Sequence, residues 1–179
     1  DLPERKSNDG SLRECIEYTQ PLSEMQYLKE SSIRGELDFT TQHVSRFNNE
    51  LDREIYATAV KMLQDKGEKI NYAKLEPRLQ KHKNKDKFLN RFNVVDPDGC
   101  CHTIVAHIAM DGHYYIYPTP NPTIENARSI TVREAARIQS FPDDYFFEGS
   151  RTAAFRQIGN AVPVMMSYDI ALSLLNQLE

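Results

Sequence analysis

The strongest constraint on the fold is a helix start at Thr131, within Thr131-Val-Arg-Glu134. A threonine followed three residues later by glutamate forms a capping box, in which each side chain accepts a hydrogen bond from the other residue's backbone N–H. Val132, Ala135 and Ala136 fall on one face of the predicted helix, and Pro142 prevents its continuation. The sequence therefore predicts a short helix with one buried face.

Two helices and three strands are predicted upstream from apolar spacing and turn residues. A helix is predicted over residues 50–66, with Gly67 as its C-cap and four apolar residues at spacings of three and four: Leu51, Ile55, Ala59 and Met62. A second short helix is predicted from Tyr72 to Gln80, and a strand from Phe92 to Val95. The clearest predicted strands are Thr103 to Ala109 and His113 to Tyr117, which would form an antiparallel hairpin around Asp111-Gly112.

The last helix is predicted to begin near Pro163, a residue suited to a first helical turn. Its apolar residues cover several faces instead of one stripe: Val164, Met165, Tyr168, Ile170, Ala171, Leu172, Leu174, Leu175 and Leu178. A helix of this kind requires more than one packing neighbour.

Charge and cysteine content narrow the class of protein. The chain carries a net charge of −4, yet six of its basic residues and only one acid, Asp86, fall between Arg78 and Arg91. Such a cluster can neutralise phosphates, although a solvated surface has the same composition. Three cysteines without a CxxC pattern argue against disulfides and a zinc site, so no metal is expected. No signal peptide or bilayer-length apolar run was identified, which predicts a cytoplasmic protein and no membrane partner.

Two segments near the C-terminus carry a family resemblance. Arg128-Ser-Ile-Thr-Val-Arg-Glu-Ala-Ala-Arg-Ile-Gln-Ser-Phe-Pro-Asp-Asp-Tyr145 resembles the ninth of ten ordered motifs of DNA (cytosine-5) methyltransferases, enzymes of restriction–modification systems. Gln157-Ile-Gly-Asn-Ala-Val-Pro163 resembles the tenth motif, and the order and spacing agree. More weakly, the segment from Thr103 to Pro118 is similar to the hairpin that ends the family's target-recognition region.

The resemblance implies an α+β fold with two parts. Residues 1–127 would form a small mixed target-recognition domain containing the antiparallel hairpin. Residues 128–179 would hold the two motifs and a C-terminal helix, which belongs to a doubly wound, Rossmann-like S-adenosylmethionine-dependent domain that this chain lacks.

The family's catalytic residues have no counterpart in the sequence. No cysteine follows a proline, the only Glu-Asn pair precedes Ala127, and no glycine-rich turn for S-adenosylmethionine is present. The chain is therefore expected to contain no catalytic residue and to be inactive alone. It begins with Asp1, which fits a fragment of a longer enzyme, and the small subunit of a split enzyme is equally open. The alternative is a stand-alone, sequence-specific DNA-binding module.

The resemblance also assigns site residues. Phe141, Asn160, Ala161 and Val162 would line the S-adenosylmethionine pocket, although Phe141 could be plain core and Asn160 could cap the last helix through a turn. Double-stranded DNA would be read around Thr103 and His107, with phosphates contacted by a basic set: Lys81, Lys83, Lys85, Lys87 and Arg91. Arg133, Glu134 and Arg137 are interpreted as scaffold. The expected partners are the catalytic domain or subunit and, through the last helix, a second copy.

Overall fold

The computed structural model describes residues 1–81 and 89–178, and within these ranges helices predominate. The α-helices are α1 (Gln26–Glu30), α2 (Glu50–Lys66), α3 (Val132–Ile138), α4 (Arg151–Asn160) and α5 (Val164–Leu178). Short 3-10 helices lie at Leu22–Glu24, Tyr72–Lys74, Pro77–Leu79 and Ala106–Ala109. Strands β1 (Ile16–Glu17) and β2 (Phe39–Thr40) pair antiparallel, with Ile16 opposite Thr40. This mixture is consistent with the expected α+β class.

Helix α2 confirms the prediction made from its spacing and its ends. The Asn49 side chain accepts a hydrogen bond from the backbone N–H of Asp52 at 3.0 Å, and Gly67 ends the helix at φ 66°, a left-handed conformation that favours glycine. The buried face of α2 contacts one of two apolar clusters, whose members include Ile55, Tyr56, Ala59, Val60, Ile70, Tyr72, Phe92 and Ile116.

A second apolar cluster joins α3 and α4 to residues far upstream. Ala135 and Ala136 of α3 and Phe155 and Ile158 of α4 are buried together with Ile104, Ile108 and other members. The Ala106–Ala109 turn packs directly on α4. Residues from both sides of position 128 thus share one core.

The predicted hairpin at 103–117 is wrong. Its first strand is replaced by the Ala106–Ala109 3-10 helix, and Ile116 instead forms isolated bridges with Val94 and Ser129. Ile104 and Ile108 are four residues apart and both buried, a spacing that suits a helical turn on α4. Packing outweighs the strand propensity of these residues. The antiparallel sheet in the described part of the chain is formed by β1 and β2.

The single helix predicted over residues 72–80 is also wrong. Two 3-10 turns stand there instead, and Glu76 between them is extended, with ψ 139°. The cause is Pro77, because a proline restricts the preceding residue to extended conformations and has no N–H to continue a helix.

Helix α4 was not predicted from the sequence, whereas the start of α5 was. The Ser150 hydroxyl caps α4 by accepting from the N–H of Ala153 at 3.2 Å. None of the residues of α5 is buried. A helix with high apolar content is therefore left on the surface.

By length and composition, the helical stretch Arg151–Leu178 would qualify as a membrane span, contrary to the expectation from the sequence. In the fold it is two helices, because α4 ends at Asn160 and buries Ala154, Phe155 and Ile158. The exposed part, α5, has 15 residues, so it is only about 22 Å long. A bilayer core is about 30 Å thick, so α5 alone is shorter than that core.

Candidate functional site

The site is built on the first turn of α3, where the capping box forms as predicted. The Thr131 hydroxyl accepts from the backbone N–H of Glu134 at 3.2 Å, and the Glu134 carboxylate accepts from the N–H of Thr131 at 2.7 Å. These two bonds occupy the N–H groups of Thr131 and Glu134, and those of Val132 and Arg133 donate to the carbonyl oxygens of Val44 and Gln42.

Arg128 holds the Glu134 carboxylate from its other side. Its guanidinium donates two parallel hydrogen bonds, at 2.8 Å and 2.9 Å, while the Arg128 side chain is almost fully buried. Burial alone would raise the pKa of Glu134, but the charge and hydrogen bonds of Arg128 outweigh it and lower that pKa to about 2. The pair therefore stays ionised at neutral pH.

His43 completes this network and was missed by sequence reasoning. Its Nε2–H donates to the carbonyl oxygen of Pro3 at 2.8 Å, so Nδ1, 3.0 Å from the Thr131 hydroxyl, accepts from that group when the ring is neutral. Burial lowers the pKa of His43, which favours the neutral ring. A lone histidine in a loop gives no sequence signal for such a contact.

Arg133 and Arg137 act as scaffold, as predicted. The buried Arg133 guanidinium donates to the carbonyl oxygens of Thr41 and Tyr145, at 3.0 Å and 2.8 Å. Arg137 forms ion pairs with Asp1 and Asp143, at 2.7 Å and 2.5 Å. These contacts attach α3 to the N-terminal segment and to the loop after Pro142.

Two residues at the end of α3 hold the junction between α4 and α5. The Gln139 amide donates to the carbonyl oxygen of Ala161 at 3.1 Å, and its backbone carbonyl accepts from Val164 N–H at 3.1 Å. The backbone of Ser140 is left-handed, with φ 54°. Its hydroxyl accepts a hydrogen bond from the N–H of Met165 at 3.0 Å. Ser140 thus caps α5 from a distant part of the chain.

These bonds leave few free backbone donors for a ligand at this junction. A helix start can bind an anion through its free N–H groups, but those of Val164 and Met165 are already bonded. The alternative role of Asn160 as a cap for that helix is wrong, because Asn160 is the last residue of α4.

Of the four residues expected to line a cofactor pocket, three are consecutive at the α4–α5 junction, and the fourth, Phe141, follows α3. Asn160 and Val162 are exposed and Ala161 is half-buried. Among the described residues, the Asn160 amide has no hydrogen-bond partner. Phe141 directly follows Ser140, is half-buried, and packs against Tyr145 and Phe147 with ring centroids 5.2 Å and 5.0 Å away. Phe141 is therefore partly core and partly accessible.

The residues expected to read DNA bases lie on the loop that packs on α4. Thr103 and His107 are both exposed, and His107 Nε2 lies 3.2 Å from the Asp111 carboxylate. The hydroxyl of Tyr115 fixes the loop by donating to the carbonyl of Thr103 at 2.9 Å and accepting from the N–H of Val105 at 3.1 Å. Exposed side chains thus stand on an anchored backbone.

The basic segment is described only at its ends. Lys81 is exposed, and its ammonium contacts Asp52 and Asn49, both at 2.9 Å. Arg91 is buried, with its guanidinium 4.2 Å from the centre of the Tyr72 ring. Arg91 therefore packs inside the fold, unlike an exposed phosphate ligand. Lys83, Lys85 and Lys87 lie outside the described residues.

The 103–110 loop and the α4–α5 junction thus place exposed polar side chains on a backbone that is held in place. Comparison with known families identifies the class of protein. The chain belongs to the C-5 cytosine-specific DNA methylase family, whose sequence model matches residues 2–176.

Individual relatives are bacterial type II methyltransferases. The chain is 46% identical over 173 residues to M.Bpa9945I of Bacillus paralicheniformis, a match that covers 96% of this chain and 38% of that enzyme. It is 44% identical over 84 residues to M.AgeI of Thalassovita gelatinovora, covering 47% and 18%. With M.Eco47II of Escherichia coli it shares 51% over 55 residues, covering 31% and 13%. The chain thus spans less than half of the length of these relatives.

Proposed function

We propose that this chain is the C-terminal, DNA-recognition part of a DNA (cytosine-5) methyltransferase of a bacterial type II system, acting in the cytoplasm. It binds the double-stranded target and completes the S-adenosylmethionine site, while the catalytic residues lie on another domain or subunit. The observation that carries this proposal is α5, an apolar helix without a single buried residue that begins directly after Asn160–Val162. Its surface suits a doubly wound catalytic domain that packs against it.

The DNA side of the proposal rests on the 103–110 loop. Thr103 and His107 are exposed on a backbone that is held by Tyr115 and α4. Hydroxyl and imidazole groups can exchange hydrogen bonds with base edges in the major groove. Lys83, Lys85 and Lys87 would contact phosphates, which position the protein without reading sequence. Lys81 contributes less, since Asp52 already neutralises it, and Arg91 is left out of the proposed contact set.

The cofactor side rests on the α4–α5 junction. The exposed Asn160 amide can bind a polar group, and Ala161 and Val162 offer a small apolar surface. The partly accessible Phe141 directly follows Ser140, which binds the start of α5. These residues fit one edge of a nucleoside-like ligand. When bound, S-adenosylmethionine supplies the methyl group. The residues of this chain would orient it, and the target cytosine would be flipped out of the duplex toward the other domain.

A segment exchange tests the proposal. In M.Bpa9945I, the 173-residue stretch that aligns with this chain is replaced by this chain. Methyl transfer from tritiated S-adenosylmethionine is then measured on DNA libraries. The chimera is expected to methylate cytosine, and its target sequence should be the one specified by this chain. The isolated chain, assayed in parallel, is expected to transfer no methyl group.

Two outcomes would contradict the proposal. A chimera that methylates only the recipient's own target would remove the recognition role from this chain. Methyl transfer by the isolated chain would mean that it contains catalytic residues. Tight, sequence-specific DNA binding by the isolated chain, combined with an inactive chimera, would favour the stand-alone DNA-binding module instead.

A further inference from the structure

Gly159 brings the backbone of α4 into direct contact with the 103–110 loop. A Cβ atom at this position would lie 2.4 Å from the carbonyl carbon of Val105 and 2.5 Å from the nitrogen of Ala106. Both of these neighbours are backbone atoms, which cannot turn aside as a side chain can. Any larger residue at position 159 therefore has to displace the loop or the helix.

The loop is anchored at this contact from several directions. Tyr115 binds the backbone of Thr103 and Val105, and Arg46 donates a hydrogen bond to the carbonyl oxygen of Ile108. Ile104 and Ile108 are buried with Phe155 and Ile158 of α4. The position of the exposed side chains of the loop is thus determined by α4, because the buried side chains of the loop are closely packed against that helix.

Gly159 also lies next to the proposed cofactor residues in the sequence. Gly159 is followed at once by Asn160, Ala161 and Val162, and Gln139 fixes that junction by its bonds to Ala161 and Val164. Gly159 therefore contacts the 103–110 loop on one side and continues directly into the 160–162 segment, and it has no side chain that would separate the two.

We propose that Gly159 is a positioning residue that sets the distance between the DNA-reading loop and the cofactor segment. This inference rests on the proposed function and adds a residue that touches neither DNA nor cofactor. Adding one methyl group at position 159 would shift Thr103 and His107 relative to Asn160. The protein could then no longer hold the base edges and the methyl donor in their productive positions at the same time.

The test is Gly159→Ala, with Gly35→Ala as the matched control because a Cβ at Gly35 meets no atom within 4 Å. In the chimera described above, discrimination between the target and a site with one changed base pair is expected to fall about ten-fold. A purely structural defect would lower the active fraction on both DNAs and leave this ratio unchanged. An unchanged ratio therefore overturns the proposal.

Amide hydrogen exchange in the 179-residue chain provides a readout that does not depend on activity. In Gly159→Ala, the amides of Val105 and Ile108 are expected to exchange about ten-fold faster or more, while those of α3 keep their protection. Unchanged protection in the loop overturns the proposal even if the chimera is inactive. An inactive wild-type chimera, by contrast, counts against the proposed function alone.

If Gly159→Ala does not fold, Tyr115→Phe loosens the same loop from its other anchor. It removes the hydroxyl that binds Thr103 and Val105 but keeps the buried ring. The same fall in discrimination and the same faster exchange are expected. A Tyr115→Phe variant with wild-type exchange and wild-type discrimination overturns the proposal.

Discussion

At the scale of single residues, the carboxylate of Glu134 joins the cap of α3 to a buried arginine. Its capping role was predictable, because Thr131 and Glu134 are three positions apart in the sequence. Its ion pair with Arg128 and the link from Thr131 to His43 were not predictable, since those partners are brought in by the tertiary fold. Local spacing identifies a capping glutamate, but the spacing contains no information on which distant side chain neutralises the charge of that glutamate.

Glu134→Gln is expected to destabilise the chain by about 3 kcal/mol at pH 7, because Arg128 would be left buried without its counter-charge. The pKa of Glu134 is lowered to about 2 from an ordinary value of 4.5. A lowered carboxylate pKa stabilises the fold above the unfolded value and loses that effect as pH falls through the folded value. The wild-type advantage should therefore shrink between about pH 4.5 and pH 2.

Urea unfolding at several pH values measures this difference. Glu148→Gln, which alters an exposed glutamate of the same region, serves as the control and should change stability little. A penalty for Glu134→Gln that is as large at pH 2 as at pH 7 would show that the ion pair is not its cause.

At the scale of elements, prediction from sequence succeeded where a helix is determined by its own ends. Such end signals predicted three elements: α2 with Gly67, α3 with its capping box, and the start of α5 at Pro163. The 103–117 segment was mispredicted because its apolar residues pack on α4, an element that was itself missed. The signal for α4 was present in Gly149-Ser150, a turn followed by a capping serine.

The basic segment at 78–91 carries a prediction of its own. Replacing Lys83, Lys85 and Lys87 with alanine should flatten the slope of log affinity against log salt, by up to about one unit for each phosphate that is no longer neutralised. The measurement is DNA binding by the chain at several salt concentrations.

A matched control replaces Lys61, Lys66 and Lys69, three exposed lysines on and just after α2 that carry the same total charge. That variant should keep the wild-type slope. Equal slopes in all three proteins would reject the phosphate contacts.

At the scale of the whole molecule, α5 is an apolar surface that no other described part of the chain covers. Its exposed apolar residues include Met165, Leu172 and Leu175, at 43%, 41% and 57% exposure. Burying one such side chain is worth about 1.5–3 kcal/mol, so several together favour association. In the absence of a catalytic domain, the isolated chain is expected to self-associate through α5, most simply as a symmetric dimer.

Met165→Gln with Leu172→Gln should convert that assembly to monomer with little effect on folding, as measured by sedimentation. Tyr27→Gln with Phe47→Gln, which alters two residues about two-thirds exposed elsewhere, is the control and should leave the assembly intact. A wild-type chain that sediments as a monomer would speak against α5 as a contact surface.

Residues 1–3 are held by a network that reaches the start of α3, more than 120 positions along the sequence, and this has a consequence for folding. Asp1 pairs with Arg137, and the carbonyl oxygen of Pro3 accepts from His43, whose ring in turn meets Thr131. Contacts between residues so far apart in sequence slow folding, because a long loop has to close before they form. Residues 1–3 can therefore reach their native contacts only after α3 has been synthesised, however early they themselves are made.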